Sequence, residues 1–452
     1  MSKQRTVAQT QGAHTISRGD LLKQGTKGAI VLAAGATALS TDIGTAAAHS
    51  TDKRFNIVGR AQATITFGVS LAGPNDVKAI APLIDKFMAK NPSINVKIQA
   101  YAASGWASLF EILLTRIASG TAPDVMRIAI EGTALLGSKK IALPLNDFMK
   151  TDAAYTEELR SDTLPVMWKA LAYQGQQLGL PFSYNNMMVW YNASLMPRPA
   201  LNWTADDFLA MCAKLKKQGK YGTNLWAGGL FGLEAMSLAA GANLLSDDWT
   251  RSTATDPGNL IAWQFMYDLV HKYKYAPAPN ANFPQTTFFE SGRLGTFLAG
   301  RWPLQQLLLD KFPGNSMDVQ FFPILGKGPR KVIFGIDGYP IIKTSKYPEA
   351  SWELAKYLSS KQAMTDWMIQ GTNIPCRKSL AYASWMKPPV HANDFYDSLV
   401  AGATAVTAPP QYNEIDTATT KWYTKMFAGQ VTPKAALAGL DADITSILKQ
   451  PA

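Results

Sequence analysis

Glu131, Glu234 and Asp337 are carboxylates set among glycine-rich and aromatic neighbours, and they have the most chemistry to offer. Ionised, each accepts hydrogen bonds only, so with nearby amides they could hold the hydroxyls of a polar guest. Two of them could instead hydrolyse a glycosidic bond, if they stood about 5–5.5 Å or 6.5–9.5 Å apart across it. The chain also has 12 Trp and 16 Tyr. Aromatic faces suit the C–H faces of sugar rings as well as they suit a core. Four His without metal-ligand spacing argue against a zinc centre, and the reading calls for no cofactor. Cys212 lies in an expected amphipathic helix, Ala205–Lys217, as a buried thiol; whether it bridges to Cys376 is open.

These groups need elements to position them. Residues 64–71, TITFGVSL, read as a strand, and 75–91 have apolar residues at helical spacing up to Asn91-Pro92. Residues 94–100 alternate as a strand, 106–119 form a second amphipathic helix, and 124–130, DVMRIAI, another strand. Strand, helix, strand in this order predicts a parallel, doubly wound sheet, which binds ligands beyond the carboxyl ends of its strands. Glu131 falls at such an end, as a ligand contact or as a solvated loop acid. Trp106 follows another strand, as a stacking wall or as the first core residue of its helix. Residues 178–192, LGLPFSYNNMMVWYN, turn at a proline and then extend with aromatic and β-branched residues around Ser183, Asn185 and Asn186. A polar notch in a long strand suits either a crossing between lobes beside a ligand or a central strand whose amides are satisfied locally.

A chain of 452 residues exceeds what one hydrophobic core holds, so two lobes are expected. Net charge is +11, with basic residues scattered rather than gathered in a stripe, which argues against nucleic-acid binding. Residues 1–48 read as an export signal: a basic region, an apolar run over 28–39, then Ala46-Ala47-Ala48. Ser17-Arg18-Gly19-Asp20-Leu21-Leu22-Lys23 is similar to a twin-arginine signal, with Gly19 in place of the second arginine.

Several segments, in order, resemble the bacterial extracellular solute-binding proteins of family 1, the receptors of sugar ABC transporters. They are Ala118-Ser119-Gly120-Thr121-Ala122-Pro123-Asp124-Val125, Tyr191-Asn192-Ala193-Ser194-Leu195-Met196, and Trp203-Thr204-Ala205-Asp206-Asp207-Phe208. Further on come 289–297 with Ala299-Gly300-Arg301-Trp302, then Phe334-Gly335-Ile336-Asp337-Gly338-Tyr339-Pro340-Ile341, KYPEASWELAKYL at 346–358, and GTNIPCR at 371–377.

The resemblance implies an α/β, two-lobed periplasmic-binding-protein fold of type II-like topology, each lobe a doubly wound sheet with flanking helices. An N-terminal lobe would comprise 62–183 and 338–391, and a C-terminal lobe 184–337 and 392–452. Hinge crossings would fall near 183–186, 335–339 and 391–412. In the cleft it implies Trp302 as a stacking floor, Glu131 and Asn185 as polar contacts, and Phe231 and Glu234 lining the second lobe. Asp337 and Tyr339 would point inward from the return strand, with Trp106 and Tyr412 as further rings. Arg377 reaches the solute or braces its loop. Asp124 reads as a turn or cap residue.

The expected function is a monomeric periplasmic receptor that closes on a sugar or polyol and delivers it to ABC permease subunits. The alternatives are a secreted carbohydrate-active enzyme, or a binder of a non-sugar solute such as a polyamine or glycerol phosphate.

Overall fold

The computed structural model describes residues 63–71, 76–103, 105–327 and 330–451. The expected export signal at 1–48 lies outside them.

The chain opens with β1 (Ala63–Leu71), α1 (Asp76–Lys90), β2 (Ile94–Ala102), α2 (Trp106–Ala118) and β3 (Val125–Met126). Ile65, Phe67 and Val69 on one face of β1 are all buried, as period-two alternation requires. β1 pairs in parallel with β2 and with β3, giving the order β2-β1-β3. The helices supply the parallel crossovers, as expected from the spacing. Asp124 locks this lobe: Oδ2 accepts the Thr66 N–H at 2.8 Å and its hydroxyl at 2.7 Å, and Oδ1 accepts from Ser345. That is a structural role.

A short β4 (Ile128–Ala129) leads to a 3₁₀ turn, Ile130–Gly132, and a hairpin of β5 (Ala172–Tyr173) and β6 (Gln176–Gln177) follows later. The polar-notched segment divides in two. β7 (Pro181–Asn186) belongs to one sheet, and after Met187 β8 (Met188–Asn192) belongs to another. The second sheet is completed by β9 (Tyr221–Asn224), β10 (Leu294–Ala299) and β11 (Met317–Gln320), in the order β11-β8-β10-β9. β10 is antiparallel to β8 and parallel to β9, so this sheet is mixed rather than all parallel. Trp190 anchors it, fully buried, stacked on Phe297 with centroids 5.8 Å apart, its indole N–H donating to Gly300 O at 2.8 Å. α3 (Ala205–Lys217) starts on a capping box between Thr204 and Asp207, and its Cys212 is buried and free, as is Cys376. The two thiols are not bridged.

A third sheet is built from β7, β12 (Val332–Gly338), β13 (Ile374–Pro375) and β14 (Ala403–Ala405), with β4 attached to β12. β7 and β12 are antiparallel, pairing Asn185 with Gly335 and Ser183 with Asp337. β7 runs on through Met187 into β8, so this five-stranded connecting sheet is joined to the second sheet along the chain. The remaining elements that matter below are α4 (Leu230–Ala239), α5 (Pro303–Leu309), α6 (Pro348–Leu358), α7 (Tyr412–Phe427) and α8 (Pro433–Ile447).

Candidate functional site

Three half-buried rings stand together beside the connecting sheet. Trp302, immediately before α5, meets Trp226 edge to face with centroids 6.0 Å apart and Phe231 at 6.5 Å. Local sequence explains the cluster. Pro303 starts α5 and brings Trp302 to its mouth. Gly300 and Gly232 have no side chains where the two indoles lie: a Cβ on Gly300 would sit 2.2 Å from Trp302 Cζ3, and one on Gly232 2.1 Å from Trp226 Cγ. Asn185 braces the loop, its Oδ1 accepting the Arg301 N–H at 2.9 Å. Arg301 itself is buried and donates to the carbonyls of Met368, Asn373 and Met386. Burial lowers its pKa to about 10, so it stays charged at neutral pH.

Glu131 sits in the 3₁₀ turn after β4 and is only 3 % exposed. Its Oε2 has no hydrogen-bond partner among the described residues. Burial is the main cause that pushes its carboxyl up to about 8, with Asp337, Asp416 and Glu234 adding to the rise. It approaches the rings across Gly335: a Cβ there would lie 4.0 Å from Glu131 Oε1 and 3.5 Å from the Phe231 ring. Tyr412, at the start of α7, is buried close by, and its hydroxyl contacts Asp416 Oδ1 at 3.4 Å. The same oxygen accepts the Leu230 N–H at 2.6 Å, capping α4 from another helix.

Trp106 stacks on Phe110, and the Arg127 guanidinium lies over the rings of Trp106 and Trp367, 5.8 Å and 5.4 Å from their centroids. Arg127 also grips Asp337, whose Oδ2 further accepts from Ser183 and Asn373.

The structure thus brings Trp302, Phe231, Asn185, Glu131 and Tyr412 into one neighbourhood, while Trp106 and Asp337 meet at Arg127. Three expected site residues are placed elsewhere, each for a visible reason. Tyr339 is fully buried between Phe67 and Phe182. β12 ends at Gly338, one residue before Tyr339, whose ring is taken up by this aromatic packing. Arg377 braces its loop: Nη1 is 2.8 Å from both oxygens of Glu158 and 3.3 Å from Asp162. Glu234 is fully buried inside α4 and bonded to the amide and hydroxyl of Thr407, although burial still raises its carboxyl to about 7. Asp337, expected to take paired hydroxyls, spends one oxygen on the protein.

Trp226, Arg127 and Asp416 were not among the candidates. Trp226 opens the glycine-rich WAGGLFG and could have been chosen on that ground. Arg127 is a lone base inside an apolar strand, which was a usable signal. Asp416 reads as an ordinary helix surface residue, because its partners come from α4.

Comparison with known proteins bears on the family and the fold. The family described as bacterial extracellular solute-binding protein matches residues 73–365. A maltotriose-binding protein of Pyrococcus abyssi is 22% identical over 233 residues, 51% of this chain and 48% of that protein, so the chain matches about half the relative's length. An ABC substrate-binding protein of Listeria monocytogenes, solved with cycloalternan, superposes with a TM-score of 0.76 at 23% identity, covering 85% of this chain and 98% of the other. The maltotriose-binding protein of Thermus thermophilus, solved with maltotriose, gives 0.72 at 19% identity, covering 84% and 99%. At these identities the likeness is one of fold.

Proposed function

The chain belongs to the bacterial extracellular solute-binding protein family, and on that premise we propose that it is the receptor of an ABC transporter for a saccharide. The solute lies on Trp302, Trp226 and Phe231, with Glu131 and the Asp337–Arg127 pair at its edges. The observation that carries this reading is the trio of half-buried rings packed against Gly300 and Gly232, next to a buried carboxyl with one oxygen unpartnered among the described residues. Indole faces gain from C–H contacts with a sugar, and the polar groups set its orientation.

The mechanism is closure. Residues 62–183 with 338–391 form one lobe and 184–337 with 392–452 the other, and the connecting sheet is the hinge. A solute that touches Glu131 in one lobe and Trp302 in the other favours the closed state, because only that state offers both contacts. The closed monomer, exported to the periplasm, then presents its solute to permease subunits.

A hydrolytic reading finds no support in the geometry. It requires two available carboxyls flanking a bond, yet Glu234 is engaged with Thr407 and Asp337 with Arg127.

The test is tryptophan fluorescence and melting of the purified protein against neutral and aminated oligosaccharides, polyols, phosphates and polyamines. A saturable shift with a saccharide and no product formation is expected. Turnover of a glycoside, or a response confined to phosphates or polyamines, overturns the reading.

A further inference from the structure

We infer that a basic, aromatic patch at the outer end of β9 docks this protein on an anionic phospholipid bilayer. The inference is independent of which solute the rings take.

Residues 214–221, KLKKQGKY, and 272–275, KYKY, hold six lysines and no acid. These stretches are far apart in the chain, and the fold joins them. Lys216, in the last turn of α3, donates to Tyr273 O at 2.7 Å, and Tyr275 O accepts the Gly222 N–H at 2.8 Å. The Tyr221 N–H donates to Arg293 O at 2.9 Å, which brings a seventh cation to the patch. Among the described residues none of the seven forms an ion pair. Of the acids close in sequence, Asp268 accepts from Gln264, and Glu290 has a buried carboxylate oxygen.

The aromatic residues decide the kind of partner. Tyr221 is exposed and packs against half-buried Phe283 and Phe288. The chain turns at Lys274, whose φ is 56°, and Tyr273 and Tyr275 stack with centroids 5.3 Å apart. Lys272 lies over the Tyr273 ring at 5.0 Å, Lys216 over Tyr275 at 5.7 Å, and Arg293 over Phe288 at 3.8 Å. These ring faces carry the protein's own cations or each other, whereas a stacked base or sugar needs a free face. What is left for a partner is a field of cations with ring edges between them. A bilayer of acidic phospholipids complements both: its phosphates attract lysines, and aromatic residues settle at the headgroup level.

β9 starts at Tyr221 and ends at Asn224, and Trp226 of the ring cluster stands two residues beyond. Patch and rings therefore lie toward opposite ends of this strand, and docking need not cover the rings.

The experiment is co-sedimentation of the full chain with vesicles of equal parts phosphatidylglycerol and phosphatidylcholine, and with phosphatidylcholine alone. In about 50 mM salt the anionic vesicles should take up the protein at least about tenfold better, and about 500 mM salt should abolish the difference. Lys217→Glu with Lys272→Glu should cut the anionic partition about tenfold or more. Lys434→Glu with Lys449→Glu makes the same charge change at exposed positions near the two ends of α8, and should cut it by less than about threefold. Every chain keeps residues 1–48, so the expected export signal contributes equally, and melting curves confirm that each variant is folded. Equal uptake by both vesicles, undiminished uptake of the patch variant, or equal loss in the two double variants overturns the inference. Tighter binding to duplex DNA or inorganic polyphosphate than to the anionic vesicles also overturns it, because the partner is then a soluble polyanion.

Discussion

Arg127 and Asp337 form an ion pair of 2.6 Å across the junction of β4 with β12, and it is nearly dry: the two side chains are 18% and 10% exposed. Because Ser183 and Asn373 converge on the same Oδ2, this carboxylate is a structural node before it is a ligand contact. Asp337→Asn removes the negative charge that lies 2.6 Å from this largely buried guanidinium. Unfolding in urea should show a loss of about 3 kcal/mol. An unchanged midpoint would mean that the pair holds nothing together.

The proposed receptor function gives Trp302 the stacking role. Trp302→Ala should weaken affinity for the bound saccharide by about 1–3 kcal/mol, read by calorimetry. The ring is half-buried and outside the β-sheets, so melting should move much less than binding does. Unchanged affinity would remove Trp302 from the site.

Gly300→Ala tests the same ring without touching it. The added methyl would meet Trp302 Cζ3 at 2.2 Å and Asn185 Oδ1 at 2.8 Å, so the indole must move. Affinity should fall to within a few-fold of the Trp302→Ala level. Retained affinity would show that the ring can shift and still stack.

Glu131 and Glu234 should make the empty protein more stable in mild acid. Their carboxyls rise from an ordinary 4.5 to about 8 and about 7 through burial. The folded state therefore keeps protons that the unfolded chain has released, and stability falls as pH climbs from about 4.5 toward 8. Each acid can contribute roughly 3–5 kcal/mol over that window. Melting temperatures of the wild type should drop more steeply from about pH 5 to pH 8 than those of Glu131→Gln. Parallel slopes would mean that Glu131 is not raised.

Much of the fold was legible in the chain. β1, α1 and β2 follow the apolar periodicity, and the Thr204–Asp207 capping box opens α3 where its sequence predicts it. Backbone periodicity and capping are set by residues a few positions apart, so sequence exposes them. The antiparallel pairing of β8 with β10 was not visible, because it depends on where a chain returns from a distance.

The site divides in the same way. Sequence by itself marked the loops: Trp302 after Gly300-Arg301, Phe231 in its glycine-rich stretch, Glu131 at a strand's end. What each side chain does was decided by partners far along the chain. Thr407 takes Glu234 out of play, Glu158 takes Arg377, and the rings of Phe67 and Phe182 make Tyr339 part of the core. Burial and hydrogen-bond satisfaction are properties of the packed whole, so residue type names the candidates and only the tertiary structure shows Glu131 buried with one oxygen unpartnered among the described residues.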